Sequence, residues 1–338
     1  MSTPSPRRRP TIDDVATAAG VSRGTVSRVL NGGHWVSPDS LHAVNAAIKK
    51  TGYRINPHAR NLATSRANSV AFLLTESHDR LFEDPNFAVL MRGAASALEE
   101  HDLPLVLLMA GTDAEKRRAA EFITAGHVDG VLLVSSHAGQ SSFLHELVQS
   151  KVPAIACGIP LGFERSVGYV AADDEAGAEA AVEHLRARGC TRIATIAGPQ
   201  DTSGGVGRLV GYRRAMAGDA DDALIEDGDY SRESGRRAMA ALLERSTDID
   251  GVFAANDVMA AGALDVLRDR GIRVPDGVAV VGFDDAPIAS STTPSLTTMR
   301  QPFERISREM VRLLLDMING NGGATMTLPT ELVVRESA

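Results

Sequence analysis

The chain from Ser69 onward alternates between short apolar runs and stretches with helical periodicity, and this alternation restricts the possible folds more than any other feature. The apolar runs are rich in Val, Ile, Leu and Ala, as strands buried on both faces are. They are SVAFLLT, LPLVLLM, VDGVLLV, VPAIAC, RIATIAG, IDGVFAA and GVAVVGF. Helical stretches such as FAVLMRGAASALEEH, AGAEAAVEHLRARG and VMAAGALDVLRDRG lie between several of them. The pattern predicts parallel sheets, and the length of residues 69–338 predicts two doubly wound lobes.

The segment before these runs has a different pattern. Residues 11–30 read TIDDVATAAGVSRGTVSRVL, which predicts two short helices joined by a tight turn. Thr11 can cap the first helix, with Asp14 in the capping-box position. Gly20 suits a left-handed residue after that helix, and Ser22 can cap the next one.

The second of these helices has one apolar side. Val26, Val29 and Leu30 are spaced i, i+3 and i+4 and form an apolar stripe. Gly24, Ser27, Arg28 and Asn31 point away from that stripe, and Arg23 lies on the N-terminal flank of the helix. A helix of this kind can enter the major groove of DNA. An ordinary surface αα-hairpin is the alternative interpretation.

A third helix follows the pair. Ser37 can cap it, Pro38 suits its first position, and Leu41, Val44 and Ile48 are expected to face inward. Three helices in so short a segment predict a compact headpiece.

Charge separates this headpiece from the rest of the chain. Residues 1–68 contain eight Arg and two Lys against three Asp and no Glu, a net charge of +7. The whole chain has a net charge of −8, so the remainder carries −15. A basic head on an acidic body favours nucleic acid as the partner of the head.

Other features exclude several classes of protein. A hydrophobic content of 43% is that of a globular chain, and no apolar run is long enough to span a membrane. The N-terminus, MSTPSPRRRP, lacks the apolar stretch of a signal peptide. Cys157 and Cys190 are the only two cysteines, without CxxC or Cys/His spacing. We therefore expect a cytoplasmic, nucleoid-associated protein without structural zinc.

Several longer strings give the chain a family resemblance. In chain order they are DVATAAGVSRGTVSRVLN, NPHARNLA, GPQDTSGGVGRLVGY, FAANDVMAAGAL, VPDGVAVVGFDD and PSLTTMRQPF. Because of these strings, the chain resembles the lactose/galactose repressor (LacI/GalR) family of transcriptional regulators over nearly its whole length. The resemblance implies an α/β fold in which a three-helix helix-turn-helix headpiece and a hinge helix precede two doubly wound parallel-sheet lobes of the periplasmic-binding-protein type.

The resemblance and the pattern together predict the following domains. They are a basic arm at 1–9, a headpiece at 10–56, a hinge helix at 57–68 and an effector-binding and dimerisation core at 69–338. The N-terminal lobe of the core is expected at about 69–168 plus 299–328. The C-terminal lobe is expected at about 169–298 plus 329–338.

The resemblance also assigns DNA contacts. Arg23, Gly24 and Arg28 match base-contacting positions; Arg suits guanine O6 and N7, whereas Gly24 has no side chain with which to read a base. Phosphate contacts are expected among Thr11, Ser22, Thr25, Asn31 and Ser37, some of which serve as helix caps instead. Leu62 matches a hinge residue that inserts into the minor groove, with Asn56 and Ala59 at neighbouring hinge positions.

Positions that match the family's effector contacts occur in both lobes. They are Phe82, Asp84, Arg208, Tyr230, Asn256, Asp284, Gln301 and Phe303. Asp257 and Asp285 are expected to brace the cleft rather than touch the ligand. Gly158 and Val134 replace an Asp and an Asn found elsewhere in the family, which predicts a roomier or less polar side of the pocket.

The expected function is that of a homodimeric repressor on a palindromic operator, released by a mono- or oligosaccharide. No cofactor, metal ion, membrane or catalytic activity is expected. Neighbouring acids such as Asp284 and Asp285 do not readily face each other across a glycosidic bond. A corepressor-type regulator that binds a nucleobase or other metabolite is one alternative, and a solute-binding module of a transporter is another.

Overall fold

A computed structural model describes residues 10–30, 36–53, 66–135, 137–217 and 220–338. It divides into two compact units, one within residues 1–67 and the other within 68–338. Among the described residues, no helix is long and apolar enough to cross a membrane.

The first unit contains three helices, α1 (Ile12–Ala19), α2 (Arg23–Leu30) and α3 (Pro38–Thr51). The capping box of α1 is present: Asp14 N donates to Thr11 Oγ1, and Thr11 N donates to Asp14 Oδ2 at 2.7 Å. Gly20 ends α1 with a φ of 68°, as expected of a left-handed cap.

The core of this unit comes from one face of each helix. Val15, Val26, Val44 and Ala47 are buried in it. Leu41 was expected to face inward but is 45% exposed. At 100° per residue it lies about 90° from the middle of the face that Val44 and Ala47 bury, so it falls at the border of that face.

The second unit contains two six-stranded sheets among its described residues. In the first lobe the strands are β1 (Val70–Leu74), β2 (Leu105–Met109), β3 (Gly130–Val134), β4 (Ala154–Cys157), β5 (Gly168–Ala172) and β11 (Thr325–Leu328). Their order is β11-β5-β4-β3-β1-β2, and every pair is parallel. The α-helices that pack around this sheet are α4 (His78–Glu83), α5 (Pro85–Glu99), α6 (Asp113–Thr124), α7 (Ser141–Gln149) and α12 (Phe303–Ile318).

The second lobe repeats this plan with one antiparallel edge. Its strands are β6 (Ile193–Ala197), β7 (Ile225–Asp227), β8 (Gly251–Ala254), β9 (Ala279–Asp284), β10 (Thr297–Arg300) and β12 (Glu331–Val333). They are ordered β12-β10-β9-β8-β6-β7, with β12 antiparallel to β10. The α-helices are α8 (Asp174–Ala187), α9 (Ser203–Ala215), α10 (Arg232–Arg245) and α11 (Asp257–Asp269). Short 3₁₀ turns lie at Ala138–Gln140, Asp222–Leu224 and Pro287–Ser290.

Each sheet has a hydrophobic core on both faces, which confirms the two doubly wound lobes. Phe72 and Leu132 belong to the core on one face of the first sheet, and Leu73 and Leu133 belong to the core on the other. Alternate residues of one strand thus enter different cores, which explains why the strands are apolar without interruption.

The lobe boundaries differ from those expected. The strand Gly168–Ala172 pairs within the first sheet, so the first crossover follows Ala172 instead of residue 168. The strand Thr297–Arg300 pairs within the second sheet, so the second crossover follows Arg300 instead of residue 298. The third crossover lies between Leu328 and Glu331.

The expected hinge helix at 57–68 lies mostly outside the described residues. Its described end, residues 66–68, is not helical. Asn68 has a φ of 51°, and its N–H donates to Asp129 Oδ2 at 2.7 Å instead of to a helical carbonyl. The backbone at Asn68 is thereby held beside Asp129, which directly precedes β3.

Candidate functional site

A cavity lies between the two lobes, where strands of both sheets end. Val134, Cys157 and Ala172 are the last residues of three strands of the first lobe, and Asp284 is the last residue of β9 in the second. Open α/β sheets place ligands at this edge. Charged, amide, hydroxyl and aromatic side chains complete the lining; they include Glu76, Arg80, Asp84, Asn86, Phe87, Asp174, Thr202, Ser203, Arg208, Tyr230, Asn256, Gln301 and Phe303.

Arg208 is the buried cation of this cavity. Its Nε donates to Asp174 Oδ1 at 2.8 Å, and its Nη1 lies 3.4 Å from Asp284 Oδ1. Nη1 also donates to the carbonyl of Ala255, and the guanidinium Cζ lies 3.9 Å from the ring centre of Phe283. Burial lowers the pKa of Arg208, but the two carboxylates outweigh this effect and raise the pKa above its ordinary value. A buried cation needs such partners to stay charged.

Asp284 connects the two lobes across the cavity. Its Oδ2 accepts a hydrogen bond from Asn86 Nδ2 of the first lobe at 2.9 Å, and its Oδ1 accepts one from Gln301 Nε2 at 2.6 Å. Burial raises the pKa of Asp284 to about 7, and Asp84 also raises it, while Arg208 and Gln301 oppose the shift. Near neutral pH this carboxyl group is therefore present in both its neutral and its charged form. A polar ligand that replaced the amide of Asn86 or Gln301 would bind to one of these forms.

The first-lobe contribution begins at the N-terminus of α5. Asp84 caps that helix by accepting from Asn86 N at 3.0 Å, and Arg80 Nη2 lies 3.5 Å from Asp84 Oδ2. Burial raises the pKa of Asp84. Asn86 is placed by this cap, so the residue that bonds to Asp284 depends on the local structure of the helix start.

Tyr230 and Asn256 form a second polar unit, in the second lobe. Tyr230 has a φ of 68°, a left-handed backbone that is unusual for an aromatic residue. Asn256 Nδ2 donates to the Tyr230 carbonyl at 3.1 Å, while its Oδ1 accepts from Met259 N as the cap of α11. The Tyr230 ring is thus held beside the cavity with its hydroxyl 3.4 Å from Thr202 Oγ1.

The structure brings together most residues that the resemblance assigned to the effector. The cavity-lining ones are Asp84, Arg208, Tyr230, Asn256, Asp284, Gln301 and Phe303. Phe82 is not among the lining residues and is 85% exposed on α4, which differs from the expectation. The helix α4 has only six residues. Its residue Arg80 lines the cavity, whereas Phe82 faces solvent.

Asp257 and Asp285 are not among the cavity-lining residues and make structural contacts. Asp257 accepts from Thr298 Oγ1 at 2.5 Å and from Ala286 N at 2.7 Å. Asp285 accepts from Arg300 Nε at 2.7 Å and also pairs with Arg335. They hold the loop after β9 against its neighbours.

Sequence reasoning did not select several lining residues. Polar ones among them contact other site residues or the opposite lobe; they are Glu76, Arg80, Asn86, Asp174 and Thr202. A usable signal was present, because Glu76 and Asp174 each follow the end of a strand by two residues. Asn86 carries no such signal, since it lies inside the first turn of a helix.

The expected DNA-reading face lies on α2 of the first unit. Arg23 and Arg28 are exposed, and Arg23 has a side-chain exposure of 72%. Arg23 Nε lies 3.9 Å from Asp13 Oδ1, while Arg28 Nε donates to the carbonyl of Gly24 at 3.3 Å. Two exposed guanidinium groups are therefore present on α2.

Other residues assigned to DNA have structural contacts. Ser22 Oγ accepts from Thr25 N at 3.1 Å as the cap of α2, and Ser22 Oγ lies 2.9 Å from Thr25 Oγ1. Thr11 belongs to the capping box of α1, and Ser37 caps α3. Asn31, Asn56, Ala59 and Leu62 lie outside the described residues.

Comparisons with known proteins cover both units. A family model for bacterial regulatory proteins, lacI family, matches residues 11–56, and one for a periplasmic binding protein-like domain matches residues 182–338. Over 337 residues the chain is 45% identical to the HTH-type transcriptional regulator CelR of Thermobifida fusca, covering 98% of this chain and 99% of that protein. It is 33% identical over 330 residues to the ribose operon repressor of Halalkalibacterium halodurans, covering 97% and 96% of the two chains.

Solved structures show the same similarity. A complex of the transcriptional regulator CelR with cellobiose is 43% identical, with a TM-score of 0.78, and covers 98% of this chain and 100% of that one. The lac repressor dimer bound to operator and the anti-inducer ONPF is 28% identical, with a TM-score of 0.85 and coverages of 98% and 99%.

Proposed function

Because the chain belongs to the lacI family of bacterial regulatory proteins, we propose that it is a homodimeric transcriptional repressor that binds a palindromic operator and releases it when a small sugar enters the cleft. The observation that carries the proposal is the combination of two features in one chain. These are a helix-turn-helix with exposed Arg23 and Arg28, and a two-lobed unit with a hydrogen-bonding cavity between its lobes.

The DNA-binding part of the proposal rests on α2. Its arginines suit guanine edges in the major groove, and each good bidentate pair contributes about 1–3 kcal/mol of discrimination. Gly24 contributes no side chain between them, so backbone can approach the DNA there. A single recognition helix binds weakly, whereas a two-fold protein matches a palindromic operator.

The effector part rests on the chemistry of the cavity. Sugars present several hydroxyl groups, which donate and accept hydrogen bonds, and an apolar ring face that stacks on aromatic side chains. Arg208, Asp284, Asn86 and Gln301 supply the polar partners, and Tyr230 supplies an aromatic ring.

We propose a disaccharide rather than a small monosaccharide as the ligand. Val134 and Gly158 line one side of the cavity, and the resemblance implies an Asn and an Asp at these positions elsewhere in the family. At Gly158, with a φ of 81°, a Cβ would come within 3.0 Å of Ser203 Oγ, so glycine keeps this side open. The cellobiose complex of CelR makes cellobiose the first candidate.

The mechanism is a shift between two states of the dimer. A sugar that contacts both lobes stabilises one arrangement of the lobes over another, and only that differential affinity changes the DNA affinity. In this proposal the sugar-bound arrangement fits the operator less well, the protein has no catalytic activity, and it acts in the cytoplasm at the nucleoid.

Operator release tests the proposal. DNA retained by the protein from a random duplex pool would be sequenced, and its affinity measured by fluorescence anisotropy with cellobiose, ribose or hypoxanthine added. We expect cellobiose to weaken operator binding at least tenfold. Tighter binding with hypoxanthine would favour the corepressor alternative, and sugar binding without any DNA affinity would favour the solute-binding alternative.

Two variants separate the functions of the two units. Arg28→Ala should lose operator affinity and retain cellobiose binding, because Arg28 belongs to α2 of the first unit and the cavity residues all belong to the second unit. Arg208→Lys should retain operator affinity and lose the cellobiose response, because a lysine cannot keep the forked contacts to Asp174 and Asp284. If both variants lost both functions, the assignment of roles would be wrong.

A further inference from the structure

A histidine-centred cluster crosses from one lobe to the other beside the cavity. His137 follows β3 in the first lobe, and its Nε2 lies 3.0 Å from Glu76 Oε1 of the same lobe. Its Nδ1 lies 2.9 Å from Asp201 Oδ2, which precedes α9 in the second lobe. One imidazole ring therefore contacts a carboxylate at each of its nitrogens, and the second contact joins the lobes.

Neighbouring contacts hold this arrangement in place. Ser135 Oγ donates to Glu76 Oε1, and Ala138 N donates across the cleft to the Asp201 carbonyl at 2.8 Å. The His137 and Glu76 side chains are 20% and 15% exposed, whereas Asp201 is 52% exposed. The contact to Glu76 is thus shielded from solvent, and that to Asp201 is partly open.

The chemistry of the ring makes the cluster sensitive to protonation. A neutral imidazole donates from one nitrogen and presents a lone pair at the other, so it can donate to only one of these carboxylates. The imidazolium donates to both. The hydrogen bond that His137 donates to Glu76 is the main cause that raises the pKa of His137 above its ordinary value, and the charge of Glu76 and the contact with Asp201 also raise it.

Neighbouring groups also affect the pKa of Glu76, the partner of His137. Burial raises the pKa of Glu76, but His137 and Ser135 lower it by more, with a smaller contribution from Arg80. Glu76 and Asp201 are the groups that face His137 through hydrogen bonds, and Arg80 acts on it through Glu76. Glu76 lines the cavity as well, so the cluster lies at the edge of the effector site.

We propose that Glu76, His137 and Asp201 form a proton-dependent latch that holds the two lobes together when His137 is protonated. In this inference His137 is a positioning residue for the effector cleft. The effector part rests on the proposed function, whereas the latch itself requires no ligand.

The sign of the pH dependence follows from the contacts. When the lobes separate, His137 loses Asp201, and its pKa moves back toward the ordinary value of 6.5. The latch is then complete at a pH below the pKa of the open form, which Glu76 of the same lobe still raises, and it is lost as the pH rises through the higher pKa of the closed form. Each pKa unit between the two forms changes the closing equilibrium about tenfold.

Histidine titration by NMR tests the origin of the shift without a ligand. In the full-length protein with ¹³C-labelled histidine, the His137 signal is the one missing from His137→Gln. We expect its midpoint to lie above 6.5 in the wild type and to move toward 6.5 in Asp201→Asn. A midpoint at or below 6.5, or one that Asp201→Asn leaves in place, would overturn the proposal.

Amide exchange tests lobe closure, again without a ligand. The Ala138 N–H bonds across the cleft, so its protection factor reports on closure. We expect this factor to fall several-fold from pH 6 to pH 8 in the wild type and to stay low at both pH values in His137→Gln. His101→Gln, which changes an exposed histidine of a turn, is the matched control and should follow the wild type.

Cellobiose titration then tests the link to the effector. Asp284 also titrates near pH 7, so the quantity compared is the difference between the wild type and His137→Gln. We expect the cellobiose affinity of the wild type to fall several-fold more between pH 6 and pH 8 than that of the variant. An equal pH dependence of exchange and affinity in both proteins would overturn the latch. Failure of both proteins to bind cellobiose would contradict the proposed effector, while NMR and exchange would still decide the latch.

Discussion

At the scale of single residues, the sequence pointed to candidate site residues, but the contacts of each side chain became visible only in the fold. The resemblance pointed to Arg208 and Asp284, but only the fold shows that Arg208 is paired with Asp174 and that Asp284 bonds to Asn86 of the other lobe. Phe82 shows the converse case, since its position in the sequence matched a contact while its side chain faces solvent.

The carboxyl group of Asp284 should make the stability of the second unit depend on pH. Its pKa is raised to about 7 in the folded chain. The contribution of its neutral form to the free energy of unfolding is therefore fully present below the unfolded pKa of about 3.8 and is lost as the pH rises through 7. Relative to Asp284→Asn, we expect the wild type to lose on the order of 1 kcal/mol of unfolding free energy between pH 5 and pH 8. Urea unfolding at each pH measures this.

A matched variant makes that comparison specific. Asp276 is 67% exposed, so Asp276→Asn should keep the pH profile of the wild type. Parallel profiles for the wild type and Asp284→Asn would show that the carboxyl group of Asp284 does not cause the dependence.

Leu62 provides a residue-scale prediction on the DNA side. It is the large apolar residue of a polar segment and matches the family's minor-groove wedge. Leu62→Ala should weaken operator binding by tenfold or more while cellobiose affinity stays unchanged, because the wedge stabilises the kinked DNA. Gel-shift titration measures the first quantity and calorimetry the second. Unchanged operator affinity would contradict the wedge assignment.

At the scale of helices and strands, the sequence predicted correctly those elements that depend on neighbouring residues in the chain. The seven apolar runs are strands, and caps at Thr11, Ser22 and Ser37 begin helices as expected. The strands that escaped notice are short or contain polar residues; they are Gly168–Ala172, Ile225–Asp227, Thr297–Arg300, Thr325–Leu328 and Glu331–Val333. Their pairing depends on neighbours far along the chain, which no local pattern reports.

Two capping boxes allow an element-scale test. Thr11 with Asp14 begins α1 in the first unit, and Thr112 with Glu115 begins α6 in the second. Thr11→Ala and Thr112→Ala should each cost about 1 kcal/mol, because an N-cap oxygen satisfies a free helical N–H. Hydrogen exchange read separately for the two units should show each loss in its own unit only. A loss that appears in both units would contradict their independent stability.

At the scale of the whole molecule, the charge distribution and the fold support one interpretation. A segment with a net charge of +7 contains the helix-turn-helix, and an acidic remainder contains the cleft. We therefore expect the phosphate contacts to lie in the first unit and DNA binding to weaken steeply with salt.

The oligomeric state is the prediction that belongs to this scale. Sedimentation equilibrium should give about twice the chain mass of 35.7 kDa, because a palindromic operator requires two recognition helices. A DNA duplex with one half-site should bind at least a hundredfold more weakly than the full operator. A monomer that binds both duplexes equally would contradict the dimer.

The sequence by itself determined the two doubly wound lobes and the helix-turn-helix, because periodicity and caps act over short distances, and its motif strings pointed to seven residues of the cavity lining. Only the tertiary structure decided which side chains meet. Asp174 and Arg208 are 34 residues apart, and His137 and Asp201 are 64 apart. Such pairs depend on how strand ends and lobes pack, and their protonation depends on burial and on neighbouring charges that exist only in the folded chain.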